Sequence, residues 1–561
     1  MVITDDQLKE LIVKTGIIDQ KKLQELSAFV KNSGETLENV LIENNIISDQ
    51  NLGLLIADFL KLPFVVLSNM SIPEDVYKIV PEKIARKEKI VVFARDEHTI
   101  KIATPNIQNI ALREMIEKKT GTKVALYFTT EKDITNALRA YRKDLQKSFE
   151  GLFKDEIEKT GNVVISQAPI VKIVDLIVDY AYDDKASDIH IEPQEKNSIV
   201  RFRIDGILHD MLFLPKALHD QVVTRIKVLS KLRTDEHLSA QDGKMRMDIG
   251  KEYVDIRVSI LPIVDGEKIV LRLLSSNIKQ ISLIDLGMNE KDLKKVTGAF
   301  SKSFGMILST GPTGSGKTTS IYSILKILNT RDKNITTIED PVEYRIKGIN
   351  QIHVNVKTNL TFANGLRSIL RQDPNVVLVG EIRDSETAGI AVNAALTGHL
   401  VLSTLHTNDA ATTLPRLIDM KVEPFLVAST VNVIIGQRLI RKICDMCKTS
   451  LTISKTELSH NIPVEIVENH FGEEEQIRVY KGTGCKICHA TGYIGRVGIF
   501  EVLEVTKKIK QLLTEKNDSD VIARAAVEEG MSTMLDDGLD KVRKGITTIE
   551  EVLRITKVES L

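Results

Sequence analysis

The chain contains no tryptophan, and aromatic residues make up only 4% of its 561 positions. Stacking platforms of the kind that carry single-stranded nucleic acid are hard to build from so few rings. Neither sign of charge is in excess. The 76 basic and 77 acidic residues give a formal net charge of −1, which argues against a protein whose main task is to coat nucleic acid. No apolar run approaches the ~20 residues that a membrane-crossing helix needs. The first residues, Met-Val-Ile-Thr-Asp-Asp, lack a basic region followed by an apolar one, so no secretory signal is expected. Cysteine is scarce: four residues in two tight pairs do not make a disulfide scaffold and fit a reducing, cytoplasmic setting. What is left is ordinary globular composition, 42% hydrophobic and 27% charged, with length for about three to five domains.

Against that background one stretch stands out. An apolar run from Ile307 enters Gly311-Pro312-Thr313-Gly314-Ser315-Gly316-Lys317-Thr318-Thr319, and helical spacing resumes from Ser320. Strand, glycine loop and helix in that order form the context a phosphate-binding loop requires. The three glycines let backbone N–H groups turn toward one anion at the positive end of the helix. Lys317 is expected to neutralise β/γ-phosphate charge, and the Thr318 hydroxyl to complete the shell of a Mg²⁺ ion. The chain is expected to bind a nucleoside triphosphate.

The chain reads as five segments, the last of which carries this loop. Residues 7–30 and 36–59 repeat each other with an offset of 29, aligning Leu8, Leu11 and Ile12 with Leu37, Val40 and Leu41. Each unit reads as a helix, a turn and a second helix capped by Asp19 or Ser48, giving a small helical repeat domain at 1–61. Residues 62–144 read as an α/β unit with strands at 63–67, 90–93, 99–103 and 123–127 and helices around 74–86, 107–120 and 131–143. Residues 145–167 are charged and without sustained periodicity, and read as a linker with at most a short helix. From 168 to 280 an amphipathic helix (168–184) and antiparallel strands suggest a sensor-like, PAS-like α+β domain. Residues 281–561 alternate apolar strands with helices, including a helical run at 423–440. That pattern means a mostly parallel sheet with its chemistry at the strand C-termini. The fold class is multidomain α/β.

Triphosphate hydrolysis needs a metal, a carboxylate to orient water, and cations for the transition state. Glu339, Asp340 and Glu343 follow the run Ile335–Ile338, and Glu381 follows Val376–Val379. Glu381 suits the metal side, while Glu343 and Glu339 compete to polarise water; each taken alone would read as a surface salt-bridging residue. His399 and His406 flank the next apolar strand, where a neutral imidazole either senses the γ-phosphate or is simply a satisfied core side chain. Arg257 and Arg272 stand in strands with apolar neighbours, an uneconomical place for permanent charge, with solvent-facing strand arginines as the plain alternative. Cys444-Asp-Met-Cys447 and Cys485-Lys-Ile-Cys488 have the spacing of a four-thiolate zinc site, structural because no coordination position stays open.

These motifs together resemble the secretion ATPases, the motors of type II secretion and type IV pili. The resemblance rests on Gly311-Pro-Thr-Gly-Ser-Gly-Lys-Thr318, Thr337-Ile-Glu-Asp-Pro-Val-Glu343, Leu378-Val-Gly-Glu-Ile-Arg-Asp384 and Thr397-Gly-His-Leu-Val-Leu-Ser-Thr-Leu-His406. Ala186-Ser-Asp-Ile-His-Ile-Glu-Pro193 and Arg201-Phe-Arg-Ile-Asp-Gly206 resemble the signature of the family's second domain. The resemblance implies a RecA-like motor domain with ATP, Mg²⁺ and Zn²⁺ as cofactors. It makes Glu343 the catalytic glutamate, Glu381 the Walker-B glutamate, His406 the histidine-box residue, and Arg257 and Arg272 arginine fingers. It places a zinc subdomain at about 441–495, as in extension and type II secretion motors. It also implies a homohexamer at the cytoplasmic side of the inner membrane that acts on a platform protein, most closely a pilus-extension motor, with type II secretion as the alternative and a nucleic-acid motor disfavoured. The N-terminal repeat resembles a module that binds cyclic di-GMP in some of these ATPases. That pattern opens with Arg-Leu-Gly, where this chain has Gln7-Leu8-Lys9 and Thr36-Leu37-Glu38, and Val30 and Phe59 replace the closing Gln. The departures favour a docking domain for a cytoplasmic partner over cyclic di-GMP binding. At His237-Leu-Ser-Ala240, relatives carry a more basic stretch, which leaves no extra phosphate contact expected there.

Overall fold

The structure, a computed structural model, describes residues 3, 5–15, 37–38, 41, 47, 49–67, 70, 72–96, 98–106, 110–138, 145–160, 169–249, 252–274, 282–485 and 487–556. The chain divides into two compact units. One gathers Met1–Leu62 and Gln280–Leu561 (with 69–71), the other Pro63–Ser68 and Ile72–Lys279.

In the N-terminal repeat, the helices Asp5–Thr15 and Asp49–Phe59 bury Leu8, Ile12, Leu52 and Ile56. Leu37 and Leu41, which the repeat aligns with Leu8 and Ile12, are fully buried too. The expected caps Asp19 and Ser48 and the first unit's second helix lie outside the described residues.

The next segment forms a three-stranded sheet of β1 (Val91–Arg95), β2 (Thr99–Thr104) and β3 (Lys123–Phe128), antiparallel then parallel. The strand expected at 63–67 shrinks to a bridge between Phe64 and Phe128, because the Leu67 N–H is taken by the Asp133 carboxylate. The expected linker is corrected more strongly. Leu145–Thr160 is a 16-residue helix whose Leu145 and Phe149 are buried in the core of the following domain. Leu145, Phe149 and Leu152 recur at helical spacing and make a narrow apolar stripe, which the surrounding charges hide from a composition-based reading.

That following domain opens with the helix Ile170–Asp183 and builds one six-stranded antiparallel sheet. Its strands are β4 (Asp188–Pro193), β5 (Asn197–Ile204), β6 (Ile207–Pro215), β7 (Gln241–Ile249), β8 (Glu252–Ile263) and β9 (Gly266–Leu274), in the order β6-β5-β4-β9-β8-β7. Alternation sends Ile189, Ile191, Phe202, Ile256, Val258 and Leu271 to the core beneath the helices Ile170–Asp183 and Lys216–Leu229. The residues between them, charged for the most part, fall on the opposite face.

The motor sheet has seven strands: β10 (Gly305–Thr310), β11 (Ile335–Glu339), β12 (Asn350–His353), β13 (Val376–Val379), β14 (Leu400–Leu405), β15 (Val431–Ile443) and β18 (Tyr493–Glu504). Their order is β12-β11-β13-β14-β10-β15-β18, parallel throughout except for β18, which runs antiparallel to β15. Between β15 and β18 lies a hairpin of β16 (Lys448–Ser454) and β17 (Gln476–Gly482). Cores on both faces explain the near-continuous apolar strands. The helical run expected at 423–440 is corrected: the helix stops at Thr430, and β15 follows. A strand buried on both faces is apolar at every position, so periodicity cannot separate it from a buried helix. The β-branched run Val431, Val433, Ile434, Ile435 is what decides.

Candidate nucleotide site

Gly311 follows the last residue of β10 and Lys317 opens the helix Lys317–Leu328, so the loop sits at the C-terminal edge of the parallel sheet. Gly311, Gly314 and Gly316 all have positive φ. At Gly311 no other residue fits, since a Cβ would lie 2.5 Å from the Gln437 carbonyl oxygen. The Lys317 ammonium donates to the carbonyls of Gly311 (2.7 Å) and Pro312 (3.1 Å). Burial pulls it below the ordinary lysine range, with the Glu381 carboxylate opposing. Ser315 Oγ is buried with no hydrogen-bond partner among the described residues, an orphan that a phosphate oxygen would satisfy. Thr318 is exposed in the first turn of the helix. The loop therefore has the donors and the lysine that a triphosphate requires.

β15 braces the loop from behind. Gln437 donates from Nε2 to the Ser315 carbonyl at 2.8 Å and accepts from Ser309 Oγ at 3.3 Å. Arg438 donates to the Asn408 carbonyl at 3.1 Å. On the other side Thr310, the last residue of β10, is tied to the segment beyond His406. Its hydroxyl bonds the Thr407 hydroxyl, donates to the Thr407 carbonyl (3.0 Å) and accepts the Thr407 N–H (3.1 Å). Sequence reasoning missed Gln437 and Arg438 because it placed them in a helix.

The carboxylates separate by environment. Glu381, just beyond β13, accepts from His406 Nε2 at 3.1 Å and is ion-paired with Arg383 at 2.8 Å, which brings His406 and Glu381 together. Glu339 does not reach outward. It is 3% exposed, and its carboxylate is taken up by the hydroxyls of Tyr322, on the phosphate-loop helix, and Thr337. Its expected place at the nucleotide is corrected to an internal tie. Desolvation, with Glu339 beside it, pushes the Tyr322 phenol far up and keeps it a donor. Asp340 and Glu343 are both exposed beyond the end of β11, and the Val342 N–H between them is held by His353 Nδ1 at 3.2 Å. His399 is corrected as well. It precedes β14, at the end of the sheet opposite the phosphate loop, and its Nδ1 pairs with the Ala394 carbonyl at 3.0 Å. Six strand residues separate it from His406, roughly 20 Å of rise.

In the antiparallel sheet, register places Arg257 directly opposite Arg272. The rung continues through Lys244 on one side and Asp188 and Arg203 on the other. Four cations thus share one rung with a single aspartate, which accepts from Arg272 Nε at 2.9 Å and lies 3.6 Å from Arg203 Nε. Like charges directly opposite are unfavourable in a sheet, and an anion on this face relieves them. Asp188 was quoted in the sequence signature without a role. By contrast His237 is engaged with Glu267 at 2.7 Å, beside the buried Lys227, so its loop is tied to β9 instead of offering a basic surface.

The four cysteine sulfurs lie within 4.8 Å of one another, with Cys444 3.8 Å from Cys485, Cys447 3.9 Å from Cys488 and Cys485 3.6 Å from Cys488. A disulfide needs about 2.05 Å. Tetrahedral zinc with Zn–S of about 2.3 Å sets its sulfurs ~3.8 Å apart. The hydrogen bond with Cys444, assisted by the backbone N–H groups of Cys485 and Gly492, holds the Cys488 thiol below its ordinary range. The cluster fits a zinc ion.

The profile of the family described as "Type II/IV secretion system protein" matches residues 164–554, and that of the "MshEN domain" matches residues 60–147. The second match falls on the three-stranded α/β unit, which corrects the placement of that module on the helical repeat at 1–61. A type IV pilus assembly ATPase, PilB, of Myxococcus xanthus is 37% identical over 561 residues, 98% of each chain. A type II secretion system protein E of Pseudomonas aeruginosa is 38% identical over 509 residues, 88% of this chain and 99% of its own. The X-ray structure of the Legionella pneumophila ATPase DotB matches with a TM-score of 0.50 at 22% identity, over 68% of this chain and 94% of its own, a likeness of fold.

Proposed function

The chain belongs to the type II/IV secretion system protein family and is an ATPase of it, and from that premise we propose that it is a type IV pilus extension motor. In this reading a cytoplasmic homohexamer at the inner membrane couples ATP hydrolysis to pilin polymerisation through a platform protein. The observation that carries it is the match with the pilus assembly ATPase over 98% of both chains, whereas the type II relative has no counterpart for about an eighth of this one. Deleting the gene in its host, or replacing it with a Lys317→Ala version, is expected to abolish surface pili and leave protein secretion intact. Exoproteins retained in the periplasm, with pili unaffected, would assign it to type II secretion.

Within the motor we assign Glu343 to orienting the attacking water, Glu381 with Thr318 to the magnesium side, and His406 to coupling Glu381 to the loop behind it. Bound Mg²⁺ supplies charge neutralisation at the phosphates. Arg257 and Arg272 are assigned to the transition-state charge, which the crowded cationic rung supports. Arg272→Ala is expected to lower kcat about 10²–10³-fold, the loss typical of one oriented donor, with nucleotide affinity nearly unchanged. The substitution relieves Arg257 of a like-charge neighbour but also strips the buried Asp188 of its 2.9 Å partner, so a modest fall in thermal stability is expected beside the larger loss of kcat. A kcat within a few-fold of wild type would remove Arg272 from the mechanism. The four cysteines are assigned to structural zinc, and the N-terminal repeat to docking a cytoplasmic partner.

A further inference from the structure

Glu501 is an ionisable residue in the middle of β18, 8% exposed. It has no part in the motifs considered so far. Its Oε1 accepts the Ala410 N–H at 2.6 Å, across the sheet edge. Its strand partner is Gly436, and that glycine is there for a reason: a Cβ at 436 would lie 2.7 Å from Glu501 Cγ and Oε1 and 3.0 Å from Met534 Cε. A glycine inside a long strand costs stability, and here it clears the bed on which the glutamate side chain lies. Burial pushes the carboxyl up to about 7, and Asp409 adds to the rise, while the Ala410 and Met534 N–H groups and Arg438 pull it down.

The anchored segment is the one that matters to the site. Residues 407–411 run directly on from His406, which meets Glu381. Thr407 is bound to Thr310, the residue before the phosphate loop. Asn408 is held by Arg438, and Ala410 by Glu501. Three successive grips therefore come from β10, β15 and β18, and the outermost is the only carboxylate among them.

We propose that Glu501 is a positioning residue of the hydrolytic site: by gripping Ala410 it fixes the segment that sets His406 against Glu381. The inference rests on the ATPase reading above. It requires a carbonyl-type oxygen at the reach of a glutamate and does not depend on charge. In the full-length protein, Glu501→Gln keeps that oxygen, whereas Glu501→Asp keeps the charge and falls one methylene short. The expected order of kcat is wild type, then Gln within about threefold, then Asp and Ala lower by about tenfold to a hundredfold, as for a misplaced catalytic group. ATP affinity, read with a fluorescent analogue, should stay within about twofold, since the phosphate loop keeps its Gln437 brace. Amide hydrogen exchange of residues 407–411 should accelerate in Glu501→Asp and Glu501→Ala but not in Glu501→Gln. Asp active and Gln inactive, or unchanged exchange in Glu501→Asp, would overturn the proposal. A Lys317→Ala control separates the two levels. If turnover survives it, the ATPase reading fails, while the exchange measurement still judges Glu501.

Discussion

Glu343→Gln is expected to lower steady-state ATP turnover by about 10²–10⁴-fold, the usual contribution of a positioned general base, while nucleotide still binds. Three glutamates stand at the C-terminal edge of the motor sheet, and their surroundings divide the work. Glu339 is sealed inside, its carboxylate consumed by Tyr322 and Thr337. Glu381 is pinned between Arg383 and His406. Glu343 is exposed on the segment beyond β11. The amide keeps the shape and loses the proton acceptor, so binding to the phosphate loop should be retained. Turnover within threefold of wild type would mean that another group orients the water.

Metal removal should have the other large effect. The two cysteine pairs are separated by residues 448–484, a loop whose closure costs on the order of 3 kcal/mol. Structural zinc contributes roughly 10–16 kcal/mol, comparable to the whole stability of a typical domain. Purified protein is expected to carry about one zinc per chain. A mercurial reagent should displace it, and the region 444–492 should then become sensitive to limited proteolysis. Cys444→Ser should do the same at lower temperature than wild type, since Cys444 is fully buried and no other described side chain joins the cluster. A metal-free preparation that melts like the untreated protein would refute the assignment.

The sequence made the phosphate loop legible because its requirements are local: positive-φ glycines, one lysine and a helix start within nine residues. The antiparallel domain was legible for a similar reason, as period-two alternation writes its two faces directly into the chain. What escaped was non-local. Nothing near Glu339 reveals that Tyr322, 17 residues earlier, occupies its carboxylate. His399 and His406 look equivalent as flanks of one strand, and only the direction of β14 in a parallel sheet sends one to the working edge and the other away. β15 reads as a helix because a doubly buried strand carries no period, and Gln437, Arg438 and the bed for Glu501 are hidden with it. The helix at Leu145–Thr160 reads as a linker for the opposite reason, a stripe too thin to show among charges.

The ribbon of β15 and β18 has one more implication, for descent. Ile443 and Tyr493 are paired on a single rung, so the chain departs for the zinc-bearing excursion and returns at the same point. Geometrically the excursion is detachable, since a two-residue hairpin turn could close that rung and leave every strand of the catalytic sheet in register. Chemically it is not, because its Leu458, Val467, Ile477 and Val479 share one core with Ile440, Val497, Leu539 and Val542. A shortened lineage would therefore have to repaint that patch in polar residues. The excursion and the C-terminal helices should be gained, lost and altered together, while the phosphate loop evolves indifferently to both.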